Sequence, residues 1–113
     1  GLILPEPAKN ADPSWFGFLL SVKEGSGVKR NDLTAFLEKA NIQTRLLFSG
    51  NLIKHPCFDQ IRGTDAYRVV GELKNTDYIM EHSFWIVYPG MTKEMLQYMA
   101  DKIHEGMREC KKN

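Results

Sequence analysis

Arg45 is the residue of this chain whose type and surroundings most directly raise a chemical question. It stands in the apolar run IQTRLLF, residues 42–48, and the small polar turn SGN follows at 49–51. Burying an unpaired guanidinium is costly in free energy, so the Arg45 side chain must either reach water or meet an anion. The sequence therefore predicts that Arg45 is solvated or binds an anion.

Other residue types that could do chemistry follow shortly after Arg45. His55, Cys57 and Asp59 could act as nucleophile, base or metal ligands, but Pro56 breaks the regular geometry and no second ligand group completes a zinc site. Ser49 has no base beside it in the sequence. We interpret this segment as a surface loop.

A methionine-rich stripe lies on the last predicted helix. Its spacing is that of an amphipathic helix, and thioethers fill irregular gaps in a core, so packing explains it more simply than copper or haem ligation. We expect no metal in this chain. The stripe consists of Met95, Leu96, Met99, Ile103 and Met107.

Composition excludes several classes of partner. The chain has 113 residues, of which 42% are hydrophobic and 26% charged, as expected for one soluble domain. Lys and Arg total 15 against 14 Asp and Glu, and a net charge of +1 supplies no long-range field for nucleic acid or an acidic membrane. We expect neither a nucleic-acid nor a membrane partner.

The sequence also bears on the cellular compartment. No run approaches the roughly 18 to 20 apolar residues that span a bilayer. The first residues given lack the basic start and the apolar stretch of a signal peptide. Cys57 and Cys110 lie far apart and form no CxxC pair. We interpret them as buried thiols of a protein in the reducing cytoplasm.

Two strands are predicted before residue 50. Residues 15–22, WFGFLLSV, have the period-two pattern of a strand with one buried face, and residues 42–48 form a second strand in which Arg45 projects away from the apolar side. We expect the apolar sides to comprise Phe16, Phe18, Leu20 and Val22 in the first strand, and Ile42, Thr44, Leu46 and Phe48 in the second.

Three helices and a third strand complete the prediction. Asn31 is expected to cap a helix that buries Leu33, Phe36, Leu37 and Ala40 and ends at a left-handed Asn41. A helix near 76–82 is expected to be capped within Asn75 to Asp77, and Thr92 caps the last helix. The third strand covers SFWIVY, residues 83–88, with Phe84 and Trp85 in the core.

These elements predict an α/β fold of the α+β type. The expected architecture is a two-layer sandwich, in which a small sheet of three or four strands carries helices on one face.

Four stretches taken together resemble a known family. DPSWFGFLL, IQTRLLFSGNL, YRVVGELKNTD and IMEHSFWIVYPGMT look like the C-terminal part of the CDP-4-keto-6-deoxyglucose-3-dehydrase family of lipopolysaccharide sugar biosynthesis, within the DegT/DnrJ/EryC1 aminotransferase-like group. The resemblance covers nearly all 113 residues and depends on the order and spacing of the four stretches. Related sugar aminotransferases carry a similar TR followed by an aromatic stretch.

The resemblance implies a domain organisation. It implies the small C-terminal domain of an enzyme with the aspartate-aminotransferase fold, in which residues 1–13 are a linker from an upstream large domain and 14–113 form the small domain. That large domain would hold a pyridoxamine or pyridoxal phosphate (PMP or PLP) and, in the dehydrase family, a [2Fe-2S] cluster. We expect no cofactor in the 113 residues and no activity from them alone.

The resemblance also implies partners and a reaction. The parent would be a homodimer that acts on a nucleotide sugar and receives electrons from a reductase, removing the C3 hydroxyl of a 4-keto sugar. A sugar aminotransferase domain of similar fold remains an alternative, because the histidine or lysine that decides the chemistry lies outside these residues. A free-standing binding module is the third alternative.

By analogy, the small domain forms one wall of the substrate cleft, and this gives Arg45 a role. A guanidinium with five fixed donors suits the phosphate or sugar oxygens of a nucleotide-linked substrate. We expect Arg45, Ser49 and Asn51 to face the cleft, with Trp15 or Phe16 nearby. The alternative is that Arg45 pairs with a carboxylate such as Asp59 and holds the turn.

Overall fold

A small antiparallel sheet forms the centre of the fold. The structure is a computed structural model that describes residues 1–86 and 89–111. Its four strands lie in the order β1-β2-β4-β3, and every neighbouring pair is antiparallel. The strands are β1 (Leu2–Ile3), β2 (Phe18–Val22), β3 (Arg45–Leu46) and β4 (Ser83–Ile86).

Helices account for most of the remaining regular structure. Two short 3-10 helices, Leu52–Lys54 and Pro56–Ile61, follow β3. None of the helices in the described part of the chain is long and apolar enough to cross a membrane. The α-helices are α1 (Arg30–Lys39), α2 (Lys74–His82) and α3 (Lys93–Glu109).

The core lies between one face of the sheet and helices α1 and α3. Leu20 and Phe84 from adjacent strands are almost completely buried, and they belong to one cluster with Leu33 and Leu37 of α1 and Met99 of α3. The arrangement confirms the predicted two-layer sandwich of the α+β type. The core residues are Leu20, Val22, Val28, Leu33, Leu37, Ile42, Phe84, Ile86 and Met99.

The carboxyl end of α1 is as predicted, whereas its amino end is not. Asn41 has a left-handed φ of 59°, and the Ile42 N–H donates to the Leu37 carbonyl at 2.9 Å. Together with the bond from the Asn41 N–H to the Glu38 carbonyl at 3.0 Å, this bond makes a Schellman ending. The helix begins at Arg30, one residue before Asn31, and its N-cap residue makes no side-chain capping bond. Asn31 is therefore a first-turn residue.

The second predicted strand, 42–48, is wrong over most of its length. Only Arg45–Leu46 pair with β4. Ile42 is instead buried at 5% exposure as the residue that follows the helix ending, and Phe48 adopts a left-handed φ of 48°, which no strand contains. Leu46 and Phe48 are exposed rather than buried.

The first predicted strand is shorter than expected. It begins at Phe18, so the alternation does not extend to Phe16, which lies outside the ladder. Leu2–Ile3, within the segment predicted to be a linker, pair with Val22 and Ser21 as an edge strand. These first residues thus add a strand to the sheet, while the boundary at residue 13 remains a prediction.

The second half of the chain follows its predicted order. Thr92 caps α3, because its hydroxyl accepts from the Met95 N–H at 3.3 Å. Helix α2 begins at Lys74 without a side-chain cap, so the expectation of a cap within Asn75 to Asp77 is wrong. The third strand is confirmed over 83–86, and its last two predicted residues, 87 and 88, lie outside the described residues.

The close contact of α1 with α3 leads to a test at Gly106. A Cβ there would lie 2.7 Å from Leu33 Cδ1 and 2.8 Å from Phe36 Cδ1. We expect Gly106→Ala to lower the free energy of unfolding by about 1–2 kcal/mol, because overpacking outweighs the better helix propensity of alanine. Urea denaturation would measure it. Gln97→Ala, at an exposed site of the same helix, is the control, and a more stable Gly106→Ala variant would contradict the close packing.

Candidate functional site

The sheet face turned away from α1 and α3, here called the outer face, carries one row of side chains across three strands. Leu19 of β2 and Arg45 of β3 both pair in register with Trp85 of β4. Successive strand residues point to opposite faces, so Trp85 lies opposite to its buried neighbours Phe84 and Ile86. Direct cross-strand partners have Cβ atoms about 4.5–5.5 Å apart. Arg45 thus lies beside the indole of Trp85.

Two further aromatic rings contact Trp85 edge-on. The Phe16 ring centroid lies 5.9 Å and the Phe48 centroid 6.2 Å from that of Trp85. Phe16 is 71% and Phe48 78% exposed, while Trp85 is half-buried. The prediction that Trp85 packs in the core is therefore wrong, since it lies between two exposed phenylalanines on the outer face.

Arg45 is exposed, in agreement with the prediction that its charge reaches water or meets an anion. No ion pair of Arg45 occurs among residues 1–86 and 89–111, and the suggested partner Asp59 pairs with Arg62 instead. The alternative prediction, that Arg45 pairs with Asp59 and holds the turn, is therefore wrong. The guanidinium is open to an external anion.

The turn after Arg45 presents Phe48 and Ser49 to solvent. Ser49 is exposed, and its carbonyl oxygen lies 2.5 Å from His55 Nε2. The imidazole therefore contacts the Ser49 carbonyl oxygen and not its hydroxyl. This contact does not make Ser49 a nucleophile with His55 as its base. Both residues contribute to the shape of the turn.

Asn51 does not face the solvent with Arg45. It is 3% exposed, and its amide donates to Asp77 Oδ1 of α2 at 2.7 Å. Lys54 also pairs with Asp77 Oδ1 at 2.8 Å. The hydrogen bond from Lys54, followed by that from Asn51, lowers the pKa of the Asp77 carboxyl. The fold thus uses Asn51 to bind the turn to α2.

Trp15 lies at the edge of the candidate site. It is 50% exposed and lines a depression of about 280 Å³ with Phe16, Phe18 and two prolines, Pro5 and Pro7. The structure therefore brings Arg45, Phe16 and Phe48 together around Trp85, and places Trp15 beside Phe16.

Sequence reasoning missed Trp85 and Phe48 as members of this site. The alternation of SFWI could have indicated Trp85, because Trp85 must face away from Phe84 if Phe84 is buried. Phe48 had no such signal, since its position depends on a left-handed backbone conformation that phenylalanine rarely adopts.

The structure offers no metal centre among the described residues. Residues 1–86 and 89–111 contain no group of three His, Cys, Asp or Glu side chains that could hold an ion. Cys57 is exposed in the second 3-10 helix and Cys110 is half-buried at the end of α3. The interpretation of both thiols as buried is therefore wrong for Cys57, because its segment lies on the surface.

Comparison with known proteins identifies the family. The DegT/DnrJ/EryC1/StrS aminotransferase family matches residues 1–104. The chain belongs to this family. The resemblance predicted from the four sequence stretches is thereby confirmed.

Within the DegT/DnrJ/EryC1/StrS family, the chain is similar to proteins named for sugar dehydration. It is 54% identical over 105 residues to the lipopolysaccharide biosynthesis protein RfbH of Salmonella typhimurium, covering 92% of this chain and 23% of that protein. It is 44% identical over 106 residues to the dTDP-4-dehydro-2,6-dideoxy-D-glucose 3-dehydratase of Saccharopolyspora spinosa, covering 93% and 22%. The chain spans less than a quarter of either relative.

A solved structure shares the fold. A single-site variant of GDP-4-keto-6-deoxymannose-3-dehydratase with bound GDP-perosamine matches with a TM-score of 0.75 and 25% identity, over 90% of this chain and 25% of that one. The Escherichia coli enzyme with bound hydrated PLP matches with a TM-score of 0.67 and 27% identity, over 98% and 25%. Both matches confirm the predicted α+β fold class.

Proposed function

We propose that this chain is the C-terminal small domain of a PLP/PMP-dependent nucleotide-sugar 3-dehydratase and forms one wall of its substrate cleft. The observation that carries the proposal is the similarity of 92–93% of the chain to 22–23% of RfbH and of a dTDP-sugar 3-dehydratase. A further 3-dehydratase matches 69% of the chain over 19% of its own length. This similarity favours a dehydratase over the sugar aminotransferases of the same family. Lipopolysaccharide deoxysugar synthesis is the corresponding process, as the name of RfbH indicates.

The cofactors belong to the rest of the polypeptide in this proposal. The chain has two cysteines, whereas a [2Fe-2S] cluster needs four protein ligands. Bound PMP supplies an electron sink conjugated with the sugar C4, which makes loss of the C3 hydroxyl feasible. We place that chemistry, the reductase contact and the homodimer interface in the parent protein, in the cytoplasm.

The outer face supplies the contribution of this chain. Arg45 presents a guanidinium without a partner among the described residues, and its fixed donors match phosphate oxygens bidentately. Trp85, the cross-strand partner of Arg45, and Phe48, which contacts Trp85, supply an apolar surface next to the guanidinium. Arg45 and Ser49 are therefore the proposed substrate contacts, with Phe16 and Trp15 at the border.

The test of the proposed function is the reaction of the whole polypeptide. Loaded with PMP and supplied with a reductase, it should remove the C3 hydroxyl from a CDP-, dTDP- or GDP-linked 4-keto-6-deoxy sugar, as followed by mass spectrometry. Its upstream sequence should contain histidine at the cofactor-lysine position and four cluster cysteines. Lysine at that position and transfer of nitrogen to the sugar would make the parent an aminotransferase, and a parent without an upstream domain would leave a binding module.

The isolated chain should associate weakly with itself. Phe16 and Phe48 expose most of their rings on the outer face, and contiguous exposed apolar surface of this kind marks an interaction surface. We expect sedimentation velocity to show a concentration-dependent increase in mass, reduced in Phe48→Ser. Val70→Ser, 74% exposed in the segment before α2, is the control. A strict monomer at high concentration would count against an uncovered docking face.

A further inference from the structure

Strand β3, which carries Arg45, is too short to fix the backbone conformation of this segment by its own pairing. It has two residues, lies at the edge of the sheet, and among residues 1–86 and 89–111 pairs with β4 alone. Strands this short contribute little stability by themselves, since most strands have about 5–6 residues. The direction of the Arg45 side chain must therefore depend on what holds the chain on either side.

Before the strand, Glu38 of α1 holds the chain. Glu38 Oε1 accepts from the Thr44 N–H at 2.5 Å and from the Thr44 hydroxyl at 2.8 Å. One carboxylate oxygen thus fixes both the backbone and the side chain of the residue immediately before Arg45. These two bonds, the backbone bond foremost, lower the pKa of the Glu38 carboxyl.

After the strand, Asp77 of α2 holds the chain through Asn51. The buried Asn51 amide donates to Asp77 Oδ1, and the Asn51 N–H lies 3.3 Å from Met80 Sδ one helical turn further on. Gly50 packs so closely on Met80 that a Cβ would lie 2.5 Å from Met80 Cγ. The chain is therefore seated on α2 immediately after the turn.

Between these two attachments lies a strained residue. Phe48 has a φ of 48°, which is a genuine outlier for a bulky side chain. Such conformations persist only when the surrounding structure imposes them, and they concentrate at ligand-binding sites. The attachments at Thr44 and Asn51 are the parts of the fold that impose this one.

We propose that Glu38 and Asp77 are positioning residues, which clamp segment 44–51 at its two ends and hold Arg45 toward the nucleotide-linked substrate. This inference rests on the proposed function. Each carboxylate acts as a hydrogen-bond acceptor for the segment and touches no substrate atom. The clamp joins both neighbouring helices to one two-residue strand, so the geometry of the site depends on α1 and α2.

The experiment measures the binding of nucleoside diphosphates to the whole polypeptide by titration calorimetry. CDP, dTDP and GDP are compared first, and the one that binds most tightly is the probe. Glu38→Ala and Asp77→Ala should each raise its Kd about 3- to 10-fold, the equivalent of a net hydrogen bond or two. Glu105→Ala removes a carboxylate of α3 that bonds Lys102, and it should leave the Kd unchanged.

Amide variants separate the acceptor from its charge. Glu38→Gln and Asp77→Asn keep a carbonyl oxygen for Thr44 and Asn51, so the Kd should stay within about twofold, since the exposed ion pair with Lys54 contributes little. A loss as large as that of the alanine variants would overturn the acceptor role. Thr44→Val keeps the side-chain shape without the hydroxyl and should raise the Kd about twofold.

A double-mutant cycle with Arg45→Ala tests whether the clamp acts through Arg45. In that background, Glu38→Ala and Asp77→Ala should change the Kd less than about twofold, because the residue they position is absent. An undiminished loss would overturn the proposal. If Glu38→Ala, Asp77→Ala and Thr44→Val all bind the probe normally, the clamp is overturned and the proposed function stands. If Arg45→Ala binds the probe normally, the proposed contact of Arg45 with the substrate is overturned, and the clamp with it.

Discussion

Replacement of Arg45 by alanine in the whole polypeptide is expected to lower kcat/KM for the nucleotide sugar by about 10- to 100-fold, mainly through KM. Charge-assisted hydrogen bonds contribute about 1.5–3 kcal/mol each, which corresponds to that range. The loss should fall on binding because Arg45 is proposed to hold the nucleotide part of the substrate, away from the reacting carbon.

Two controls separate recognition from folding. Arg45→Lys keeps the charge and loses the planar fork, so its kcat/KM should lie between those of wild type and alanine. The melting temperature of Arg45→Ala should match that of wild type, because Arg45 has no ion pair in the described part of the chain. Unchanged steady-state kinetics, or a large loss of stability, would each contradict the role assigned to Arg45.

Of the substitutions proposed, Phe84→Ala is expected to destabilise the fold most, lowering the free energy of unfolding by about 3–5 kcal/mol. Phe84 is fully buried on the central strand β4, in register with Leu20 on one side and Leu46 on the other. Its removal leaves a cavity between the sheet and the α1–α3 layer, which backbone pairing on both sides prevents from collapsing.

The comparison with Phe48 makes the Phe84 measurement specific. Phe48→Ala removes the same side chain from a site that is 78% exposed, so its unfolding free energy should change by less than about 1 kcal/mol. Guanidinium denaturation of both variants would measure the two values. Similar losses in both would mean that the core does not lie on the Phe84 side of the sheet.

Local physics explains which structural predictions are confirmed. The Thr92 cap, the left-handed Asn41 and the inward positions of Leu20 and Val22 in β2 each depend on interactions or periodicity within a few residues of sequence. A hydroxyl near a helix start or a left-handed residue at its end satisfies backbone groups whatever lies further away. Burial of one face was also predicted correctly for α1, because its apolar spacing matches the period of the helix. The stripe expected to pack from α3 is confirmed only from Met99 onward, since Met95 and Leu96 in its first turn are exposed.

The errors occur where distant contacts outweigh local preference. The pattern of residues 42–48 alternates like a strand, but Ile42 packs in the core with residues of β2, β4 and α3, and the turn that contains Phe48 is attached to α2 through Asn51. Asn75 to Asp77 contain good capping residues, yet Asp77 bonds Asn51 and Lys54 instead. These partners lie more than twenty residues away, and no local propensity encodes them.

The sequence by itself determined the family, the two-layer α+β class and the solvent-facing position of Arg45. These follow from residue order, from periodicity and from the cost of burying an unpaired charge. Only the tertiary structure decided that Arg45, Phe16 and Phe48 lie around Trp85, and that Asn51 is buried and binds Asp77 rather than reaching solvent. The physical reason is that strand register and helix docking bring together residues 16, 45, 48 and 85, whose proximity depends on the packing of the whole core.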